Sequence, residues 1–263
     1  MKWNLISLEL RQNRRSFYIC LSITLIFIVL LLGKAEAYVN NPEMVRLIQG
    51  MPEGLLKAFN IQVESFQTFE GYLATQVFPY FMVILSSFAA AWAAGSIAKE
   101  QDRGTYEYLF ALPYSRSTIF CSKAVAHWLH MTIVYVLSTL LLLLLAESSG
   151  QLEHLGYLLR LLLVGYLLVL SLMGIGYGLT SWVSSAAASA GAGIAVFAFL
   201  LNLLSGSNEM MEKLSVISPY RLFDAFDIVK GGELPAAGWI VTLGLYGVGT
   251  VAGLLILKRR DLG

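Results

Sequence analysis

The sequence predicts an all-α integral membrane protein: about six transmembrane helices, a short amphipathic helix ahead of the first, and a charged loop between the second and third. Three observations carry this. The 263-residue chain is 57% hydrophobic and 13% charged, whereas soluble domains carry about 25% charged residues, so polar surface cannot cover a globule of this composition. Apolar runs close to the ~20 residues that cross a ~30 Å hydrocarbon core recur along the chain. Lys and Arg gather in alternate connections, as orientation in a bilayer requires.

The predicted spans are 17–33, 74–97, 125–146, 157–182, 186–205 and 236–257. The fourth and fifth are nearly continuous, split only by "TSWVSS", so one of them can be re-entrant. An even count puts both termini on one side. Lys2, Arg11, Arg14 and Arg15 precede the first span, Lys99, Arg103, Arg116 and Lys123 lie in loop 98–123, and Lys258, Arg259 and Arg260 end the chain. This bias places both termini and loop 98–123 in the cytoplasm of a multi-pass cell-membrane protein. Residues 1–16 mix Trp3, Leu5, Ile6 and Leu8 with arginines, which suits a helix lying on the inner membrane surface. The run behind them is longer than the 7–15 residues usual in a signal peptide, so Ala35-Glu36-Ala37 reads as loop rather than a cleavage site.

Connections 34–73 and 206–235 fall on the other side, and the first is too long for a plain turn. "PEGLLKAFNI" reads as a helical piece begun by Pro52, and "SPYRLFDAFDIVKGGELP" as a structured cap. Gly174/Gly178 and Gly249/Gly253 have the four-residue spacing that lets helices approach closely. That spacing fits contacts within one chain and a dimer seam equally.

Much chemistry is missing. The sequence contains no G-x-x-x-x-G-K-[ST] loop, no G-x-S-x-G elbow and no H-E-x-x-H helix. His127 and His130 share a helical face, but no Cys, Asp or Glu lies near them in sequence; zinc wants three or four protein ligands, so they read as packing residues. No basic stripe is long enough for nucleic acid. The span middles are almost free of charge, which argues against an ion-coupled carrier, and no repeat relates the two halves. Any path through this chain would be apolar and aromatic, with Phe78, Tyr80, Phe81, Met82 and Tyr135 as its candidates, and the same residues fit a lipid-facing surface. Cys20 and Cys121 do not suggest a disulfide framework.

The loop "KEQDRGTYEYLFALP" stands out. Gly104 allows a turn, and the Thr105 hydroxyl can cap a helix. Tyr106, Leu109 and Phe110 then recur at i, i+3 and i+4, giving a short helix one apolar face. Pro113 stops it and Ser115 can cap the next helix. Such an element suits docking: the apolar face enters a partner's groove, while Glu100, Asp102, Arg103 and Glu107 set register.

These residues resemble a family. "AKEQDRGTYEYLFALPYSRSTIFCSKA" is similar to the E-x-x-x-G-T-x-E-x-L-(x)3-P-x-S-R pattern of ABC-2 type permeases, the membrane subunits of ATP-binding cassette exporters. The match falls on Glu100, Gly104, Thr105, Glu107, Leu109, Pro113, Ser115 and Arg116. "LKRRDLG" and "SPYRLFDAFDIVKGG" resemble that family's tail and the segment before its last span. Tyr106 and Tyr108 stand where smaller or aliphatic residues are common. The resemblance implies one permease domain over residues 1–263 of type V exporter-like fold, with an N-terminal elbow helix and a cytoplasmic coupling helix. It implies a separate ATPase subunit, which holds ATP and Mg and contacts the loop from Glu100 to Arg116, and a second permease, identical or homologous. This chain itself would hydrolyse nothing and carry no cofactor. Cargo across the family includes peptides, drugs, lipids and polysaccharides; the nearly uncharged spans favour an amphipathic peptide or hydrophobic drug. A membrane anchor or sensor that recruits an ATPase without transporting is the competing reading, and a membrane-embedded enzyme is a third, disfavoured by the missing constellations.

Overall fold

A computed structural model describes residues 3–39, 41–58, 61–102, 104–105, 113–180 and 186–259. The described residues form helices, turns and connections, with no strand among them. The helix α1 (Trp3–Gln12) runs through Asn13 into α2 (Arg14–Leu32). The long helices that follow are α3 (Phe78–Asp102), α4 (Arg116–Ser148), α5 (Leu155–Leu179), α6 (Ala187–Leu203) and α7 (Ala236–Arg259). Five helical stretches are long and apolar enough to cross a membrane: Arg14–Tyr38, Phe69–Glu100, Arg116–Ser148, Leu155–Leu179 and Ala236–Lys258. The sixth predicted span is the shorter apolar helix α6. At 1.5 Å per residue its 17 residues reach about 25 Å, short of a ~30 Å core. Residues 181–185, which hold most of "TSWVSS", lie outside the described residues.

α3 and α5 are the enclosed helices, while α2 and α7 leave most of their surface open. α3 packs on α5 and α6, α5 packs on α7, and α4 packs on α1 and α2. The α5–α7 crossing settles the glycine pattern. A Cβ on Gly249 would run into the backbone carbonyl of Gly174, and one on Gly253 into that of Tyr177. The small-residue faces thus close a helix pair inside one chain, where only glycine lets the backbones touch.

On the face opposite the signature loop, the connections are folded rather than extended. Asn41 caps the helix Pro42–Gln49, accepting from the Glu43 and Met44 amides, and the helix Glu53–Ala58 follows Pro52 as the sequence predicts. Buried Glu70 accepts from the backbone amides of Glu153 and His154 at 2.6 and 2.7 Å, pinning the connection between α4 and α5. From Leu73 to Val77 the chain is wound as a π-turn, with the Phe78 N–H donating to Leu73 O. Pro79 supplies no N–H to the turn before it, which favours such a shift of register.

Candidate functional site

The signature loop begins where α3 ends. Gly104 takes φ +66°, a conformation that side-chain-bearing residues rarely adopt, and the chain folds back so that Thr105 N–H donates to Glu100 O at 3.0 Å. The Thr105 hydroxyl donates to Glu100 Oε2 at 2.6 Å. It therefore closes the helix behind it, whereas the sequence pattern assigns it to the helix ahead. Ser115 caps α4 as predicted, accepting from Thr118 N–H at 3.2 Å.

Glu100 is buried, and its second oxygen leads into a network. Lys123 Nζ donates to Glu100 Oε1 at 2.8 Å and to Glu9 Oε2 at 2.6 Å. Glu9 Oε1 accepts from Asn13 Nδ2 at 2.6 Å and lies 3.4 Å from His127 Nε2. Lys99 Nζ donates to Asn13 Oδ1 at 3.4 Å, and Tyr177 OH donates to Ala124 O at 3.3 Å beside the His127 ring. Glu9, Asn13, Glu100, Lys123 and His127 are all buried.

Helical spacing assembles this cluster. Ile6, Glu9 and Asn13 share one face of α1 and its continuation, and Lys123 and His127 sit at i and i+4 on α4. Burial by itself would raise the Glu9 carboxyl. The His127 ring bonded to it and the Lys123 ammonium outweigh burial and hold it well below the usual carboxylate range. One ammonium thus serves two carboxylates from two other helices. Removing a single partner would strand a charge out of water, which makes the cluster a rigid brace at the root of the loop.

The other predicted loop residues are placed as follows. Arg116 reaches the end of α7, donating to Leu257 O at 3.4 Å, and Pro113 is exposed. Arg103, Tyr106, Glu107, Leu109 and Phe110 lie outside the described residues, as does the Asp102 side chain. Of the path candidates, Phe78, Met82 and Tyr135 close on Gly165 of α5, where an added Cβ would lie 2.7–2.8 Å from each. Phe81 packs on Tyr135, with ring centroids 5.8 Å apart. Tyr80 is exposed instead, beside Phe27 and Phe199.

His130 packs on Phe17 and Trp92, and His127 stacks on Tyr177 while also lying 3.4 Å from Glu9 Oε1. Sequence proximity hid this, because Glu9 lies on another helix. One signal was available: Glu9 is the only acidic residue before Glu36, set within a basic flank. Among the described residues no three His, Cys, Asp or Glu side chains gather as a metal site would require.

Fold and site together define a polytopic helical membrane subunit whose charged loop is braced from three helices. Residues 3–262 match the ABC-2 family transporter protein profile, and the chain belongs to that family. No curated protein matches it.

Proposed function

We propose that this chain is the permease subunit of an ATP-driven exporter, moving an amphipathic peptide (toxin or antimicrobial) or a hydrophobic drug out of the cell. A separate ATP-binding cassette subunit, carrying ATP and Mg, docks on the signature loop. A second permease, identical or homologous, completes the path. Both termini and the loop face the cytoplasm of the plasma membrane.

The observation that carries this reading is the buried Glu9–Lys123–Glu100 bridge. A loop that merely turned the chain around would need no such root. A loop that receives force needs one, because displacement must reach the spans instead of being lost in bending. Through Glu100 the loop is continuous with α3; through Lys123 it moves α4, and through Glu9 it moves α1. ATP-driven motion of the docked subunit would then tilt three helices as a unit.

Co-purification with a candidate ATP-binding cassette ATPase, together with cargo-stimulated ATP hydrolysis, tests the reading. Tyr106→Ala with Phe110→Ala should leave the chain inserted and weaken ATPase binding by about thirtyfold, the equivalent of about 2 kcal/mol for lost aromatic anchors. Export should stop with it. Retained binding and export in that variant would reduce the loop to a solvated turn. ATPase recruitment without cargo-stimulated turnover would favour the anchor reading.

A further inference from the structure

Between α3, α5, α6 and the folded connections on the face opposite the loop lies a cavity of ≈ 240 Å³. Its floor is aromatic and apolar: Phe78, Met82, Phe199, Phe223 and Phe226 line it, and each is buried. The π-turn supplies Ala74 and Thr75 to one wall, and π-turns within helices are frequent at functional sites. The volume is below the ~300–1,000 Å³ of pockets for whole drug-sized molecules. It suits a single large side chain.

The polar lining narrows the chemistry further. Arg221 and Asp224 line the cavity but are already engaged. Arg221 donates to Glu212 O at 2.6 Å, and Asp224 Oδ1 accepts from the Phe226 and Asp227 amides at 2.9 and 3.1 Å. Neutral polar groups are left over: the side-chain amides of Gln62 and Asn202 and the buried Tyr220 hydroxyl line the cavity, with no hydrogen-bond partner among the described residues. A carboxamide both donates and accepts, which is what a peptide backbone offers in return. The Arg221 guanidinium faces the Glu212 carboxylate at 3.6 Å, and the Asp224 carboxylate caps the helix Ala225–Val229.

The geometry points to a subsite for one large apolar residue of a peptide. Its side chain fills the aromatic floor, and the amides flanking it pair with Gln62 and Asn202. This rests on the reading of the chain as a permease for amphipathic peptides, and it adds a contact on the far side of the membrane from the ATPase, within one subunit.

Saturation-transfer NMR on the full chain in lipid nanodiscs, with N-acetyl-L-phenylalaninamide as probe, tests it. Ring protons of the probe should be saturated by the wild type. Asn202→Ala, at a half-buried position that tolerates truncation, should weaken binding about fivefold through the lost hydrogen bonds. Val164→Phe should abolish binding by filling the cavity. Equal saturation in wild type and Asn202→Ala, no saturation of the wild type, or contacts from Phe199 to nanodisc acyl chains in place of the probe would each overturn the subsite. The measurement needs neither ATPase nor transport. Binding without peptide export would count against the exporter reading alone; peptide export that survives loss of the binding signal would count against the subsite alone.

Discussion

Lys123 Nζ lies 2.6 Å from a carboxylate oxygen of Glu9, a residue 114 positions earlier in the chain. That bond ties the helix preceding the first span to the start of the third. With Glu100 on the same ammonium at 2.8 Å, it makes the root of the signature loop the junction of three helices. A buried ion pair is weak evidence of net stabilisation, since desolvation offsets much of the attraction. It is stronger evidence of geometric specification, because each charge accepts only a narrow set of arrangements.

Lys123→Met should therefore be severe. It leaves two carboxylates buried beside each other, at a cost of about 3–5 kcal/mol. Glu9→Gln, Glu100→Gln and Lys123→Met combined should regain most of that stability, since no charge is left stranded. Thermal unfolding in detergent measures both. A single variant as stable as the wild type would mean that water reaches the cluster and the brace does not exist.

Acid should loosen the same junction. The Glu9 carboxyl is depressed in the folded chain below its ordinary value of 4.5, so the unfolded chain binds the proton more readily. Its contribution is fully present above that ordinary value and is lost as pH falls towards the depressed one. Stability measured from neutrality downwards should stay flat until about pH 5 and then decline. Glu9→Gln should remove part of the decline. An identical acid profile in that variant would show that Glu9 titrates normally.

Periodicity and length made the helices legible, because a span needs a run that lipid will accept and such runs cannot be hidden. The caps at Ser115 and the turn at Gly104 were legible for a similar reason: the chemistry lies within a few residues. The brace was not. Glu9 and Lys123 look like ordinary flanking charges and Glu100 like a docking charge, and only the packing of α1 and α3 on α4 makes them partners. Gly174 and Gly249 show the same limit. Their spacing announces a close contact, but which helix supplies the other half is a tertiary fact.

The glycine crossing yields a paired test. Gly249→Leu forces a side chain into the Gly174 carbonyl, and overpacking of this kind costs about 1–3 kcal/mol. Two residues earlier, Gly247 has no neighbouring atom within 4 Å of an added Cβ. Gly247→Leu on the exposed side should leave the isolated chain as stable as the wild type. Thermal stability separates the two. Equal loss in both would mean that the α7 surface near Gly247 is covered, which a second permease copy would explain; crosslinking of Gly247→Leu membranes would then show the pair weakened.

Orientation can be read from a native residue. Cys121 is exposed at the base of α4, two residues from Lys123, whereas Cys20 is buried within α2. An impermeant maleimide therefore has one reachable thiol, and no engineered cysteine is needed. The orientation proposed from the Lys/Arg distribution puts Cys121 on the cytoplasmic side, together with the loop and its brace. Intact cells should leave it unlabelled, and permeabilised cells should label it to one equivalent. Cys121→Ser should remove the signal, which identifies the site. Labelling in intact cells would invert the chain, place "KEQDRGTYEYLFALP" outside, and leave no cytoplasmic ATPase able to reach it.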